Sequence, residues 1–344
     1  MAGSIVGVDI GTDSIRAVEI TGAGKRPSIM RHFEIALPDG AVRSGEVAEI
    51  NTVAERLKHL WSAGHFRSRN VILGVGSPKV LVRDLTVPKL AARELKSSLP
   101  AYVQDMLPVP VHDALLDFYP ISESAGDNGT LLLNGLLVAA VKDSVLANVN
   151  AVQKAGLSVV GVDLIPFAMT RMQKQPGLVA YVDVGARTTN VVVVDNGVPQ
   201  FVRIIATGGF DLTQALSAQL EISVQQAEQM KLGLGLGTAG VPAERLPAVQ
   251  IMREVTSDLL SSLRNTLAYY ANTHPDQMYI SVVLSGRGAN LLGFAEALGE
   301  ITRIPVLIAD PFSHIAPPKQ LLNASARDRH TFGIALGLAM GSAV

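Results

Sequence analysis

The sequence predicts an α/β fold of two lobes related by one internal duplication. Three observations carry this. The chain has 344 residues, 48% of them hydrophobic, and no Cys, enough for two cores of ordinary domain size without covalent staples. Short β-branched runs alternate with helical apolar spacings along its length, the pattern of sheets covered by helices. Finally, Val8–Ile20 (VDIGTDSIRAVEI) rhymes with Val182–Val194 (VDVGARTTNVVVV), half a chain further on. One repeat at that spacing marks a duplicated domain rather than a solenoid.

The elements follow in order. Ile5–Ile10 is a strand that turns at Gly11 and returns through Ala17–Ile20. Glu46–Gly64 is an amphipathic helix (Val47, Ile50, Val53, Leu57, Leu60), with Trp61 as packing. Pro88 opens a second helix with Leu95, Leu99, Tyr102 and Met106 on one face, and Pro100 should kink or divide it. Leu115–Ile121 is a strand, Ser122–Gly129 a polar hairpin loop and Leu131–Val141 a buried strand. Asp143 caps a helix that stops at Gly156, and Leu157–Asp163 is a further strand. Val179–Val184 and Val191–Val194 repeat the opening hairpin. Ala206–Thr213 places Gly208 and Gly209 before a helix with Asp211 as N-cap and Leu212, Leu216 and Leu220 along it. Leu232–Gly237 alternates Leu and Gly but lacks the Lys-Ser/Thr of a phosphate loop, so it reads as a flexible helix end. Ile251–Tyr270 is a long helix, and Ser281–Ser285 a buried strand before Gly286-Arg-Gly-Ala289 and a short helix from Leu291.

Composition excludes several chemistries. Without Cys there is no disulfide framework, thiolate zinc site, iron–sulfur cluster or Cys nucleophile. Lys+Arg 29 against Asp+Glu 30 gives a net charge of −1, which argues against nucleic acid as a partner. Mean hydropathy is high at +0.31. Even so, the longest apolar stretches, Leu131–Val141 and Phe332–Val344, fall short of the roughly 18–20 residues that cross a bilayer. Met1-Ala-Gly-Ser lacks the basic and apolar regions of a signal peptide. A cytoplasmic chain with no direct membrane insertion is therefore expected. The seven His residues show no metal-ligand spacing and read as surface.

The repeat carries the chemistry. In each copy an Asp (Asp9, Asp183) closes a buried strand, and a Gly (Gly11, Gly185) lets the backbone turn and approach a ligand. The hydroxyls of Thr12, Ser14, Thr188 and Thr189, with the turn N–H groups, can cradle phosphate oxygens; Arg187 lies in the same second turn. Two such hairpins face to face make a phosphate clamp, with Asp9 and Asp183 holding Mg²⁺ through its waters. A helix start after Gly208 and Gly209 is either a second anion site or a simple strand-to-helix turn. Glu228 and Lys231, three apart, form either a surface ion pair or a grip on ribose hydroxyls. Gly286 and Ala289 would admit a flat adenine ring, and Arg287 either stacks on it or faces solvent.

With these residues in view, the chain resembles the actin-like ATPase superfamily. Phosphate loop one matches at Val8–Arg16, loop two at Val182–Asn190 and the adenosine motif at Leu284–Phe294. Phe332–Ala339 resembles the small-residue connecting helix between lobes. The segment reading VPKLAARELK … LPVP … LLDFY … LLVAAVKDSVL … AGLSVVGVD resembles the insert of the PilM family of type IV pilus assembly proteins, relatives of FtsA. The resemblance implies a two-lobed actin-like (ribonuclease H-like, duplicated) ATPase fold. Residues 1–86 would form the first lobe, completed by 164–180 and the C-terminal helix; 87–163 an inserted interaction subdomain; 181–344 the second lobe. It implies ATP and Mg²⁺ as ligands. Asp163–Thr170 carries no Gln to place an attacking water, so turnover is expected to be slow or conditional. It also implies a partner, the N-terminal peptide of a PilN-like bitopic membrane protein, seated between first lobe and insert, with Leu85, Leu95, Leu99 and Tyr102 as candidates of which most are expected to be core. Pilus motor ATPases are further expected partners. The chain would then sit on the inner face of the cytoplasmic membrane through partners, since it ends at Val344 without the amphipathic tail of FtsA. A departure is Arg287, where relatives often carry a second Gly. A small-molecule kinase of the same superfold and a nucleotide-free secretion-system adaptor are the competing classes.

Overall fold

Two five-stranded sheets carry the duplication. The computed structural model describes residues 4–22, 27–126, 129–318, 321 and 330–341. Ile5–Ile10 (β1), Ser14–Thr21 (β2) and Ser28–Ala36 (β3) form an antiparallel meander. A two-stranded hairpin, Val42–Arg43 (β4) with Glu46–Val47 (β5), precedes helix Ile50–Ala63 (α1) and strand Asn70–Val75 (β6). The insert supplies Val80–Pro88 (β7), Ala92–Val103 (α2), Ala114–Ala125 (β8) and Leu131–Val141 (β9). Lys142–Lys154 (α3), Ser158–Leu164 (β10) and Ile165–Met172 (α4) lead to the second lobe. There Leu178–Val184 (β11), Thr189–Asp195 (β12) and Val198–Ile205 (β13) repeat the meander. Gly209–Gln219 (α5), Val224–Leu234 (α6), Leu246–Thr273 (α7), Tyr279–Ser285 (β14), Phe294–Thr302 (α8), Val306–Ile308 (β15) and Gly333–Met340 (α9) complete the described elements.

The strand orders are β10-β6-β1-β2-β3 and β15-β14-β11-β12-β13. Each meander strand pair is antiparallel, and β6 and β14 join their sheets parallel to β1 and β11. The copies thus match in order and in sense, as the repeated sequence implies.

Three of the hydrophobic cores among the described residues position the lobes. Val8, Leu57, Leu60, Leu73 and Val152 fill the first lobe. Leu216, Met252, Leu263, Leu284 and Phe294 fill the second. The third lies between the sheets, where Ala168, Met169 and Met172 of α4 meet Ile72 and Val75 on one side and Tyr181, Val192 and Val194 on the other. α9 packs against β1 and α4 through glycine: a Cβ at Gly7 would strike the Ala335 carbonyl, and one at Gly337 the Ala168 carbonyl.

Several local expectations are corrected. Pro88 ends β7, paired with Leu132, and α2 begins only at Ala92. Pro100 sits inside α2 without dividing it. β7 pairs with β9 in the insert's sheet (order β7-β9-β8), while β10 pairs parallel with β6 in the first sheet. β10 thereby covers the edge of β6. Asp143 lies in the first turn of α3 rather than capping it; Gly156, at φ +81°, does end that helix. Strand β8 runs on through Ala125, and residues 127–128 of the expected hairpin loop lie outside the described residues, as do 342–344. His330 is buried. Of the groove candidates, Leu95 and Leu99 are buried, Leu85 packs on the insert's own core, and Tyr102 is exposed.

Candidate functional site

Both repeats end in the same turn. Gly11 N–H donates to the Ser14 carbonyl (3.0 Å), and Gly185 N–H to the Thr188 carbonyl (2.9 Å). The hairpin registers then set Asp9 opposite Arg16 and Asp183 opposite Asn190. Cross-strand partners share a face, so each Asp acquires a polar neighbour inside a buried layer. Arg16 Nη1 bonds Asp9 Oδ2 at 3.1 Å. Asp183 accepts from Ser285 Oγ at 3.1 Å and also from the Asn190 side chain.

Asp9 and Asp183 are 6% and 9% exposed. Burial, then the negative charge of Asp9, pushes Asp183 up to about 6. Burial likewise raises Asp9, opposed by Arg16. Asp183 feels the charge of Asp9, while Asp9 feels Asp13 and Glu34, and the nearby Arg16 guanidinium is shared with those same acids: Glu34 (Nε, 3.1 Å) and Asp13 (Nη2, 3.4 Å). Two buried like charges with an incomplete counter-charge suit a hydrated divalent cation. Asn190 Oδ1 is buried and has no hydrogen-bond partner among the described residues.

Other expected site residues are placed differently. Gly208 and Gly209 do adjoin loop two, but the α5 start faces inward: Gly209 N–H bonds the Gly185 carbonyl (2.9 Å) and Phe210 N–H the Ala186 carbonyl (2.8 Å). Those donors hold the loop rather than standing open to an anion. Asp211 is not the N-cap; it lies three residues into α5 and accepts from Gly208 N–H at 2.7 Å. Thr189 Oγ1 donates to the Thr207 carbonyl (2.8 Å) and is fully buried, which takes its hydroxyl out of a phosphate cradle. Ser14 Oγ is engaged by Asp13 and by Arg16 Nη2. Thr12 and Thr188 sit half-buried in the turns. Arg187 lies over the Phe210 ring (4.1 Å) and donates to Gln214 (2.9 Å), turned toward α5.

Glu228 and Lys231 do form an ion pair, with Glu228 partly exposed and Lys231 largely buried. Lys231 Nζ bonds Glu228 (2.7 Å), Thr213 Oγ1 (2.9 Å) and the Gly209 carbonyl (3.0 Å), tying α6 to the α5 start. Gly286, at φ +85°, packs on the Val184 backbone, and Gly288 on the Val184 side chain. Ala289 belongs to the second-lobe core instead of lining an open seat. Arg287, half exposed, is engaged by acids of the first lobe. Its Nη2 reaches both oxygens of Glu34 (2.6 and 2.7 Å) and its Nη1 reaches Asp13 (3.4 Å).

Sequence reasoning missed Arg16, Asn190 and Glu34. Arg16 and Asn190 each stand as a polar residue in an apolar strand, at the position facing the repeat Asp, so hairpin register would have found them. Glu34 had no such cue, since only the β2–β3 pairing brings it to Arg16.

The model of the family described as "Type IV pilus assembly protein PilM" matches residues 7–343. A chain of a solved PilM-PilN type IV pilus biogenesis complex is similar with TM-score 0.85 and 24% identity, over 99% of this chain and 98% of that one. MreB 5 of Spiroplasma citri bound to AMPPNP is similar with TM-score 0.58 and 12% identity, over 98% and 95% of the two chains. The cell division protein FtsA of Bacillus subtilis is 23% identical over 67% of this chain; the match spans 58% of that protein's length. The fold is that of the actin-like ATPases, and the chain belongs to the PilM family of type IV pilus assembly proteins.

Proposed function

We propose that the chain is an ATP-binding scaffold of the type IV pilus assembly machine, with Mg²⁺·ATP held between the β1–β2 and β11–β12 turns. The observation that carries this is the pair of buried carboxylates, Asp9 and Asp183, supplied by equivalent positions of the two copies and each raised in pKa. Asp9 and Asp183 would hold the metal through its waters, and the metal would neutralise phosphate charge. Arg16, already beside Asp9, adds a cation that triphosphate oxygens can share. The AMPPNP-bound MreB relative supports a nucleotide as ligand.

Turnover is slow or conditional in this reading. The stretch before loop two is α4, whose Ala168, Met169 and Met172 are packed into the inter-sheet core. Gln173, just beyond, uses its Oε1 to accept from Asp310 N–H (3.0 Å). No glutamine is therefore offered to align an attacking water from this segment. The relative's PilM-PilN complex supports a PilN-like protein as partner, and in this reading the N-terminal peptide of that membrane protein makes the contact. Pilus motor ATPases belong to the same proposal. Among the described residues no helix is long and apolar enough to cross a membrane, and attachment to the inner face of the cytoplasmic membrane would run through these partners.

Titration calorimetry tests both halves. Wild type binds Mg²⁺·ATP, Asp9→Ala binds it at least about tenfold more weakly, and a synthetic PilN-like N-terminal peptide binds wild type. Equal nucleotide affinity in the two proteins would remove the clamp; absence of peptide binding would remove the partner. Phosphoryl transfer to sugars or acetate would move the chain to the kinase class.

A further inference from the structure

Arg287 belongs to the second lobe, in the turn after β14, yet its charge is matched in the first. Nη2 bonds both Glu34 oxygens at 2.6 and 2.7 Å, and Nη1 approaches Asp13 at 3.4 Å. Among the described ion pairs, only those of Arg287 join the first sheet to the second lobe. The anchor points are firm on both sides. Gly286 is pressed on the Val184 backbone, and Glu34 is also gripped by Arg16 Nε at 3.1 Å. Asp13 and Arg287 are about half exposed, 49% and 46% at the side chain. Arg16 links this contact to Asp9, which is buried like Asp183. The contact is thus at the exposed rim, one arginine away from the buried Asp9.

We propose that Arg287 and Glu34 form a clasp across the rim of the inter-lobe cleft, which holds the lobes closed and sets how long a nucleotide stays. The second half rests on the nucleotide reading above. An isolated surface ion pair contributes little to global stability. Here one guanidinium nitrogen serves both carboxylate oxygens within a network of two arginines and three acids. Opening the lobes would break the Glu34 and Asp13 contacts together, so their full strength weighs on the open–closed equilibrium.

The sign of one substitution separates the clasp from its rivals. Glu34 is an anion near a site proposed for a polyanion. If it acted only through its field, Glu34→Gln would slow nucleotide release. If Arg287 served the nucleotide directly, freeing it from Glu34 would also slow release. The clasp requires the opposite: Glu34→Gln and Arg287→Ala each speed release by about three- to tenfold, and the double variant adds little.

A readout without nucleotide comes from the absence of native Cys. Spin labels on Cys introduced at His59 of α1 and Asp258 of α7, both exposed, report the inter-lobe distance. Both clasp variants, and wild type at 0.5–1 M salt where screening is strong, should show a broader and longer distribution. Unchanged distances in Glu34→Gln, or slower release from it, overturn the clasp; that variant decides the matter even if Arg287→Ala folds poorly. A wild type that binds no nucleotide overturns the functional reading instead, and the nucleotide-free distances then judge closure alone.

Discussion

Asp183 is where the site and the stability of the fold conflict. Folded, burial and Asp9 keep it protonated up to about pH 6; unfolded, it ionises near its ordinary value of 3.8. Between those values the folded chain holds more protons, so stability falls as pH rises through that window. The penalty is complete above about pH 6 and absent below about 4. Asp183→Asn keeps the shape and an acceptor for Ser285 while deleting the charge. It should stabilise the ligand-free protein by about 1–3 kcal/mol at pH 7.5, with the gain shrinking toward zero near pH 4. Urea titrations across that range check it; a gain independent of pH would mean that Asp183 carries no such penalty. The two acids were legible in the sequence because duplication prints the same residue twice. Arg16 and Glu34 were legible only as charges, since which acid meets which base is decided by strand register.

Glycine separates elements that look alike in sequence. α6 and α9 each carry a glycine, Gly233 in the last turn of the one and Gly337 inside the other. A Cβ at Gly233 meets nothing within 4 Å, whereas one at Gly337 collides with the backbone of Ala168 in α4. Alanine in an open helix position gains about 0.5–1 kcal/mol over glycine. Overpacking a filled site costs about 1–3 kcal/mol. Gly233→Ala should therefore raise the denaturation midpoint and Gly337→Ala lower it, measured by urea titration; the same sign for both would contradict the backbone contact of α9 with α4. The helical pattern of the C-terminal segment was readable, and so was the long α7. Pro88 was misread because a proline suits the end of a strand at a sheet edge as well as the start of a helix. β10 was readable as a strand but not its sheet, because a short apolar run carries no mark of the sheet it will join.

At the scale of the molecule, the question is whether two duplicated lobes behave as one. Their shared core argues that they do. α4 buries Met169 completely between first-sheet and second-sheet residues, and β7 of the insert reaches β13 of the second lobe. Neither lobe can lose its fold without exposing apolar surface of the other, which is the condition for one cooperative transition. The chain supplies its own reporter. Trp61 is the sole Trp and sits in the first lobe, its Nε1 donating to the Ser68 carbonyl (2.8 Å) with the Phe66 ring 5.0 Å away. Trp61 fluorescence should follow the same unfolding curve as far-ultraviolet circular dichroism, which sees both lobes. Mg²⁺·ATP at a hundred times its Kd should shift both curves together, by about 2.7 kcal/mol. If the lobes were coupled only through the rim, the Trp61 curve would part from the dichroism curve, and salt would widen the gap by screening Arg287 from Glu34. Coincident curves at low and high salt assign the coupling to the apolar core around α4. The rim clasp would then govern opening alone.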